Sequence, residues 1–95
     1  MRKEEIKLYI ITQENCPKCD YVKKLLTENP IVEVEFIDHK SYPAKIIKQQ
    51  NIKFTPTIIV MDKNGNILTK IEKGMTIQNI TNILEKELGI DITGS

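Results

Sequence analysis

The sequence has few of the residues on which metal-binding and nucleic-acid-binding proteins depend. Among its 95 residues are one histidine and two cysteines, and aromatic residues make up only 5%. A structural zinc site takes about four ligands, usually as two ligand pairs, and a single cysteine pair with one histidine falls short of that set. The low aromatic content argues against a base-stacking surface, and the net charge of +1 argues against binding to nucleic acid or to an anionic membrane.

The sequence also lacks a long hydrophobic segment, an internal repeat and a low-complexity linker. No run approaches the roughly 20 apolar residues of a membrane span. The basic N-terminus is followed at once by Glu4 and Glu5, which is unlike a signal peptide. We therefore expect one soluble domain over residues 1–92, with Thr93-Gly94-Ser95 as a tail or a cloning remnant. A cytoplasmic, monomeric protein that contacts neither nucleic acid nor membrane is the corresponding expectation.

Hydrophobic patterns in the first half predict a parallel βαβ unit. The run "KLYIIT" from Lys7 to Thr12 is short and rich in isoleucine, which favours a strand buried on both faces. An amphipathic helix should follow Pro17 and end at Asn29-Pro30, because apolar residues recur at helical spacing between them. Those residues are Tyr21, Val22, Leu25 and Leu26. The alternating segment "IVEVEFID" then predicts a second strand.

The second half predicts a helix, two strands and a final helix. Ser41 should open a helix that continues to about Gln50. The strands "TIIVMD" and "NILTKIE" flank Asn64-Gly65, which is a strong hairpin signal. Thr76 is the predicted N-cap of the last helix and Gly89 its left-handed C-terminal cap. The order is β-α-β-α-β-β-α, which predicts an α/β domain with a four-stranded mixed sheet and helices on both faces.

Both cysteines lie in one short stretch, "QENCPKCDYVKKLL". A bond between Cys16 and Cys19 would enclose only Pro17 and Lys18, so it would restrain the chain very little. A chemical role is therefore favoured over a structural one. Cys16 is the predicted N-cap, where free backbone N–H groups, the helix dipole and nearby Lys18 favour a thiolate. We expect Cys16 to be the exposed attacking thiol and Cys19 the buried resolving thiol.

A strand ending in "CPKC" at the start of a helix, followed later by "TP" before another strand, resembles the thioredoxin/glutaredoxin superfamily. The resemblance extends from Lys7 to Leu88, and the "CPxC" motif and small size are similar to glutaredoxins. It implies a thioredoxin fold and a thiol–disulfide oxidoreductase that reduces protein disulfides. It also implies that Cys16 is the nucleophile and Cys19 the resolving thiol. Thr55-Pro56 would be a cis peptide beside which a substrate backbone lies.

The sequence departs from the glutaredoxin pattern at three positions. Lys18 replaces an aromatic residue, Gln13 replaces a lysine, and Lys73-Gly74 replaces a glycine pair that helps to hold glutathione. The hairpin "MDKNGNILTKIEKG" is more similar to thioredoxins, but Ile10 stands where thioredoxins bury an aspartate. The electron donor is accordingly either glutathione, as a co-substrate, or a thioredoxin reductase-like enzyme. No other cofactor and no metal is expected. The substrate-binding residues implied are Gln13, Pro17, Lys18, Thr55, Pro56 and Gly74.

Other interpretations of the same residues stay open. The fold can serve as a non-catalytic peptide-binding module, with the Thr55-Pro56 loop pairing to an extended chain. Two chains can instead share an iron–sulfur cluster or another metal through their cysteines, or the cysteines can be inert. His39 is interpreted as a solvated loop residue. The tyrosines are interpreted as core residues with hydrated hydroxyl groups.

Overall fold

The computed structural model describes residues 1–41 and 52–92. Its strands are β1 (Ile6–Thr12), β2 (Glu33–Asp38), β3 (Thr57–Asp62) and β4 (Ile67–Ile71). They form one sheet in the order β2-β1-β3-β4. Strand β2 runs parallel to β1, whereas β3 is antiparallel to both β1 and β4. The predicted mixed sheet of an α/β domain and its parallel βαβ unit are therefore confirmed.

The helices described are α1 (Pro17–Glu28) and α2 (Ile77–Asn82), and α2 continues directly into a π-helical segment, Ile83–Glu87. A short 3₁₀ turn, Lys3–Glu5, precedes β1. Apart from Ser41 itself, the helix predicted from Ser41 to about Gln50 lies outside the described residues, as do Thr93-Gly94-Ser95. Within the described part of the chain, no helix is long and apolar enough to cross a membrane.

Both predicted caps of the last helix are present. The Thr76 hydroxyl accepts a hydrogen bond from the Asn79 N–H at 3.1 Å. Gly89 has a φ of +65°, and the next residue, Ile90, donates its N–H to the Leu84 carbonyl at 2.8 Å. The π-helical segment was not predicted, because a periodic apolar face does not distinguish i→i+5 from i→i+4 hydrogen bonding.

Side chains from the sheet and both helices form one hydrophobic core. Leu8 and Ile10 of β1 point into it and are completely buried. The opposite face of the sheet is closed as well, because Ile11 and Ile59 have no exposed surface. Burying one such side chain stabilises the fold by roughly 1.5–3 kcal/mol. The buried members of the core are Ile6, Leu8, Ile10, Val22, Leu26, Ile58, Val60, Ile71, Ile80, Leu84 and Ile90.

Strand β1 is less buried at its start than predicted. Lys7 and Tyr9 are half-buried. The Lys7 ammonium lies 2.8 Å from a carboxylate oxygen of Glu35 and 3.3 Å from one of Glu33, both on β2. The hydrogen bond to Glu35 raises the pKa of Lys7 above its ordinary value. These ion pairs join the parallel strands β1 and β2 on their solvent-facing side and help to fix the register in which the two strands pair.

Strand directions bring four segments to one edge of the sheet. The carboxyl ends of β1, β2 and β4 lie at this edge, together with the amino end of β3, as the pairs Ile11–Thr57 and Ile58–Ile71 show. The cysteine motif follows β1, and Thr55-Pro56 precedes β3. Lys73-Gly74 follows β4. Residues distant in the chain therefore meet at the edge where α1 begins.

Candidate dithiol active site

The backbone before α1 turns sharply to place Cys16 at the helix N-terminus. Asn15 has a left-handed conformation with φ +54°. Asparagine tolerates this region better than most residues, because its short side chain can bond locally. Cys16 then adopts an extended conformation as the N-cap, and Pro17 occupies the first helical position. Proline suits that position because its missing N–H would have no intrahelical partner.

The two sulfurs are joined in a disulfide, and the Cα atoms of Cys16 and Cys19 are 5.2 Å apart. The Cys16 sulfur also accepts a hydrogen bond from the Cys19 backbone N–H at 3.1 Å. This N–H is one of the donors that a helix leaves free at its N-terminus. In the reduced protein the same donor and the helix dipole stabilise a thiolate on Cys16.

The two cysteines differ in accessibility, but less than the sequence predicts. Cys16 is 8% exposed and Cys19 is 1% exposed. The predicted order is therefore confirmed, whereas the expectation that Cys16 is an exposed side chain is wrong. Cys16 is buried because its sulfur is enclosed between the first turn of α1 and the backbone of Thr55. Only a small part of the Cys16 residue is therefore open to solvent.

Thr55-Pro56 is a cis peptide, as the resemblance implied. The Thr55 carbonyl oxygen lies 3.9 Å from the Cys16 sulfur. A disulfide sulfur carries no hydrogen, so this is a contact in the oxidised protein, and the Cys16 thiol can donate towards the same oxygen after reduction. The loop is tied to β3 because the Thr57 hydroxyl donates to the Phe54 carbonyl at 2.6 Å. Pro56 is buried against this loop.

A groove of about 480 Å³ lies beside the disulfide. In the described part of the chain, three segments line it: the first turns of α1, the loop before β3 and the segment after β4. Neither cysteine lines the groove, but Thr55 connects it to the Cys16 sulfur. The lining residues are Lys18, Tyr21, Val22, Phe54, Thr55, Pro56, Glu72, Lys73, Gly74 and Met75.

A second, smaller pocket of about 330 Å³ shares Phe54 and Thr55 with the groove, and its lining also includes Gln13, His39 and Lys53. His39 lies in the turn after β2, in agreement with its interpretation as a loop residue, and its side chain is 40% exposed. Its backbone N–H donates to the Thr12 carbonyl at 2.7 Å. Its Nδ1 atom is buried and has no hydrogen-bond partner among the described residues. An Asp38 carboxylate oxygen lies 3.7 Å from that nitrogen, which is too long for a hydrogen bond.

The predicted substrate-binding residues divide between these sites. Lys18, Thr55, Pro56 and Gly74 lie together in the groove. Gln13 lines the second pocket with Thr55 and is separated there from Gly74. Pro17 is exposed at the start of α1 and lines neither cavity. The structure therefore places four of the six residues together in the groove and the other two outside it, and their role in substrate binding stays a prediction.

Two aromatic residues of the groove were misjudged or missed. Tyr21 was interpreted as a core residue, yet it is 56% exposed and lines the groove. It lies on the edge of the α1 apolar stripe, whose centre is Val22 and Leu26. Phe54 was not singled out at all, and it is 59% exposed in the same groove. Its signal was available: a large apolar residue directly before Thr55-Pro56 belongs to neither neighbouring strand.

Solved thioredoxin structures are similar to this chain throughout most of their length. A reduced thioredoxin pre-protein from Schistosoma mansoni has a TM-score of 0.69 at 18% identity, covering 88% of this chain and 80% of that one. Thioredoxin f2 from Chlamydomonas reinhardtii has a TM-score of 0.64 at 17% identity, covering 88% and 81%. Thioredoxin 1 from Thermosipho africanus has 0.60 at 20% identity, covering 87% and 94%. At these identities the similarity establishes the thioredoxin fold alone.

Sequence comparison gives the family. No curated protein matches the sequence. The model of the thioredoxin-like domain matches residues 1–88, and this range contains the CxxC pair and the Thr55-Pro56 loop. The chain has the thioredoxin fold, with its two cysteines at disulfide distance, and it therefore belongs to the thioredoxin-like domain family.

Proposed function

We propose that the protein is a thiol–disulfide oxidoreductase that reduces protein disulfides through Cys16 and Cys19. The observation that carries this proposal is the asymmetry of the pair. Cys16 caps α1, accepts a backbone N–H and retains 8% exposure, whereas Cys19 is 1% exposed and within bonding distance of it. A stabilised thiolate that keeps some solvent exposure, next to a second thiol that keeps almost none, suits sequential thiol–disulfide exchange.

The reaction has two steps. The Cys16 thiolate attacks one sulfur of a substrate disulfide, a Cys16–substrate bond forms, and the other substrate sulfur leaves as a thiolate and takes a proton. Cys19 then loses its proton and attacks the Cys16 sulfur. The mixed disulfide breaks and the second substrate thiolate leaves. The substrate gains two electrons and two protons, and the protein is left with the Cys16–Cys19 disulfide, which is the bond present in the structure.

An external thiol must return the protein to its dithiol form. We propose that this donor is glutathione or the dithiol of a thioredoxin reductase-like enzyme, in the reducing cytoplasm. The division of Gln13 and Gly74 between two cavities favours protein disulfides over glutathione mixed disulfides as substrates. A protein segment can pair through its backbone with the loop at Thr55, which needs no charge from the substrate.

Reduction of insulin by dithiothreitol tests the proposal. The wild-type protein should accelerate the reaction, and Cys16→Ser should be no faster than dithiothreitol alone. Lys63→Ser introduces the same residue at an exposed position of the hairpin. It is the control, and its rate of insulin reduction should equal that of the wild type. Cys19→Ser should accumulate a mixed disulfide on Cys16, detectable by mass spectrometry, because the second step is missing. Full activity of Cys16→Ser, or an inactive wild type, would overturn the proposal and leave the peptide-binding module.

A further inference from the structure

Exposed large hydrophobic side chains are concentrated beside the disulfide. In the described part of the chain three such residues are exposed: Met1, Tyr21 and Phe54. Two of them, Tyr21 and Phe54, line the same groove. A single exposed apolar residue needs no explanation. Two aromatic rings in one groove next to a reactive centre are typical of an interaction surface, because rigid aromatic side chains supply much of the binding energy at interfaces.

Both aromatic residues are positioned by rigid structure. The Phe54 carbonyl accepts the Thr57 hydroxyl at 2.6 Å, which ties the residue to the start of β3. Phe54 also directly precedes Thr55, whose oxygen lies 3.9 Å from the Cys16 sulfur. Tyr21 lies on α1 three residues after Lys18, so the two share one helix face. Both rings therefore lie in the lining of a groove whose Thr55 contacts the Cys16 sulfur.

The charges of the groove are predominantly positive. Lys18 and Lys73 are exposed in its lining. Among the described lining residues the one acidic side chain, Glu72, has its carboxylate 3.5 Å from the Lys70 ammonium, which reduces the negative charge that it presents to a ligand. An acidic segment is attracted to such a groove and a basic segment is repelled.

We infer that Tyr21 and Phe54 are specificity-determining residues of the proposed reaction, and the inference rests on that proposed function. They select extended protein segments in which a large apolar side chain neighbours the attacked cysteine and an acidic residue lies close by. The apolar side chain enters between α1 and the loop before β3 and covers both rings. The acidic residue pairs with Lys18 or Lys73 at the rim.

Short peptides with one cysteine each, used as symmetrical disulfide dimers, test this inference. The first carries glutamate and phenylalanine before the cysteine, the second glutamate and alanine, and the third lysine and phenylalanine. The readout is the ratio of kcat/KM between two peptides on the same protein variant, so a general loss of reactivity cancels. The wild type should prefer the first peptide over the second by roughly tenfold, which is about the effect of one well-placed interface side chain.

Variants assign the preference to the rings. Phe54→Ala and Tyr21→Ala should each lower the phenylalanine-to-alanine ratio at least about threefold, and Phe54→Leu should retain most of it, because leucine also buries apolar area. Lys24→Ala, at an exposed α1 residue outside the groove lining, is the matched control and should keep the wild-type ratio. Lys18→Ala should lower the preference for the first peptide over the third.

The outcomes distinguish a failure of aromatic substrate selection from a failure of the proposed oxidoreductase function. A wild-type ratio near one, or an unchanged ratio in both alanine variants, overturns the aromatic selection even when insulin is reduced normally. If insulin is not reduced either, the proposed function fails and the selection of substrates fails with it. A ratio that falls in Phe54→Ala and Tyr21→Ala but not in Lys24→Ala supports the inference.

Discussion

The carbonyl oxygen of Thr55 lies 3.9 Å from the sulfur of Cys16, although 39 residues separate them in the chain. The contact joins the two halves of the site, because Cys16 follows β1 and Thr55 precedes β3. In the proposed reaction, a substrate backbone that pairs with the Thr55 segment would be held next to the Cys16 sulfur. The site therefore depends on the antiparallel pairing of β1 and β3.

After reduction, Cys16 should be alkylated at least about tenfold faster than Cys19 near neutral pH, because reactivity follows the thiolate and its exposure. Cys16 has the greater exposure, and its sulfur accepts the Cys19 N–H at 3.1 Å. Timed reaction with iodoacetamide followed by peptide mass spectrometry measures both rates in one sample. Faster labelling of Cys19 would reverse the assignment of the attacking and resolving thiols.

Lys18→Glu should make the potential of the cysteine pair more negative by about 20 mV. A cation beside Cys16 stabilises the thiolate and thus the reduced form, and an anion at the same position destabilises it. Lys18 is exposed, so salt screens the effect and the measurement belongs at low ionic strength. The experiment is an equilibrium titration against glutathione and against a dithiol buffer.

The control for that titration is Lys24→Glu. It makes the same charge change on the same helix, two turns beyond Cys16, at another exposed residue. Its potential should shift clearly less than that of Lys18→Glu, because Lys24 lies about 9 Å further along the helix axis from Cys16 than Lys18 does, and the Coulomb interaction weakens with distance even where salt screens little. Equal shifts in the two variants would show that net charge, and not the position of Lys18, sets the potential.

Local patterns were sufficient to predict most elements of the fold. The apolar run at Thr57–Asp62 is a strand with the predicted bounds, and the helix after Pro17 ends at Glu28 as Asn29-Pro30 requires. The hairpin is present, but Asn64 keeps a negative φ and only Gly65 has a positive one, at +85°. The turn is therefore of a three-residue type, which the Asn-Gly pair alone does not distinguish from a two-residue turn.

The parts of the site that could not be predicted depend on tertiary contacts. The cis form of Thr55-Pro56 was implied only by the family resemblance, because the intrinsic preference of an X–Pro bond is small. The burial of Cys16 depends on Thr55, which is distant in sequence. The exposure of Tyr21 and Phe54 depends on which neighbours the fold leaves uncovered. Composition and spacing contain none of these contacts.

Gly74→Ala should lower the free energy of unfolding by about 1–3 kcal/mol, because it forces a side chain into a left-handed conformation and into a collision. Gly74 has a φ of +68°, and a Cβ there would collide with the Asn79 Nδ2 atom. The wild-type Gly74 carbonyl accepts hydrogen bonds from the Asn79 side chain and the Thr76 N–H, each at 2.8 Å. Urea unfolding measures the change.

Gly65→Ala separates the cost of the left-handed conformation from the cost of the collision. Gly65 also has a positive φ, but a Cβ added there would meet no other atom within 4 Å. It should cost about 1 kcal/mol, the conformational part alone. Adding Asn79→Ala to Gly74→Ala should remove the collision, so the double variant should be more stable than the sum of the single effects predicts. Strict additivity would exclude the collision as a source of the loss.

The hairpin carboxylate of Asp62 should make stability fall in acid. It accepts backbone N–H groups of Asn64 and Asn66 at 2.9 Å and the Asn66 side chain at 3.1 Å. The hydrogen bonds from Asn66 lower the pKa of Asp62 below its ordinary value of 3.8. A lowered folded-state pKa means that the stabilisation is present above 3.8 and is lost as the pH falls through the lower, folded-state value.

The measurement for Asp62 is the free energy of unfolding against pH from urea denaturation. Asp62→Asn keeps one acceptor oxygen but has no charge, so its curve should be flatter than the wild-type curve below about pH 4. Asp20→Asn is the control, because the Asp20 carboxylate is exposed on α1. It should leave the acid slope closer to that of the wild type. Parallel curves for the wild type and Asp62→Asn would remove Asp62 from the account of acid unfolding.

Gln13→Lys should raise kcat/KM for a small glutathione mixed disulfide by about two- to fivefold, the usual effect of one exposed ion pair. Gln13 shares the second pocket with Lys53 and His39. An added ammonium there can pair with a glutathione carboxylate, and charge-assisted hydrogen bonds are roughly twice as strong as neutral ones.

Gln13→Met is the matched control, because it is similar in length and brings no charge. Insulin reduction should change little in either variant relative to glutathione turnover, because the route proposed for a protein segment is the groove that contains Gly74 and not this pocket. The decisive contrary result is efficient glutathione turnover by the wild type that Gln13→Ala abolishes and Gln13→Lys does not improve. It would mean that the neutral amide already completes a glutathione site, and that the protein uses glutathione as effectively as it uses protein disulfides.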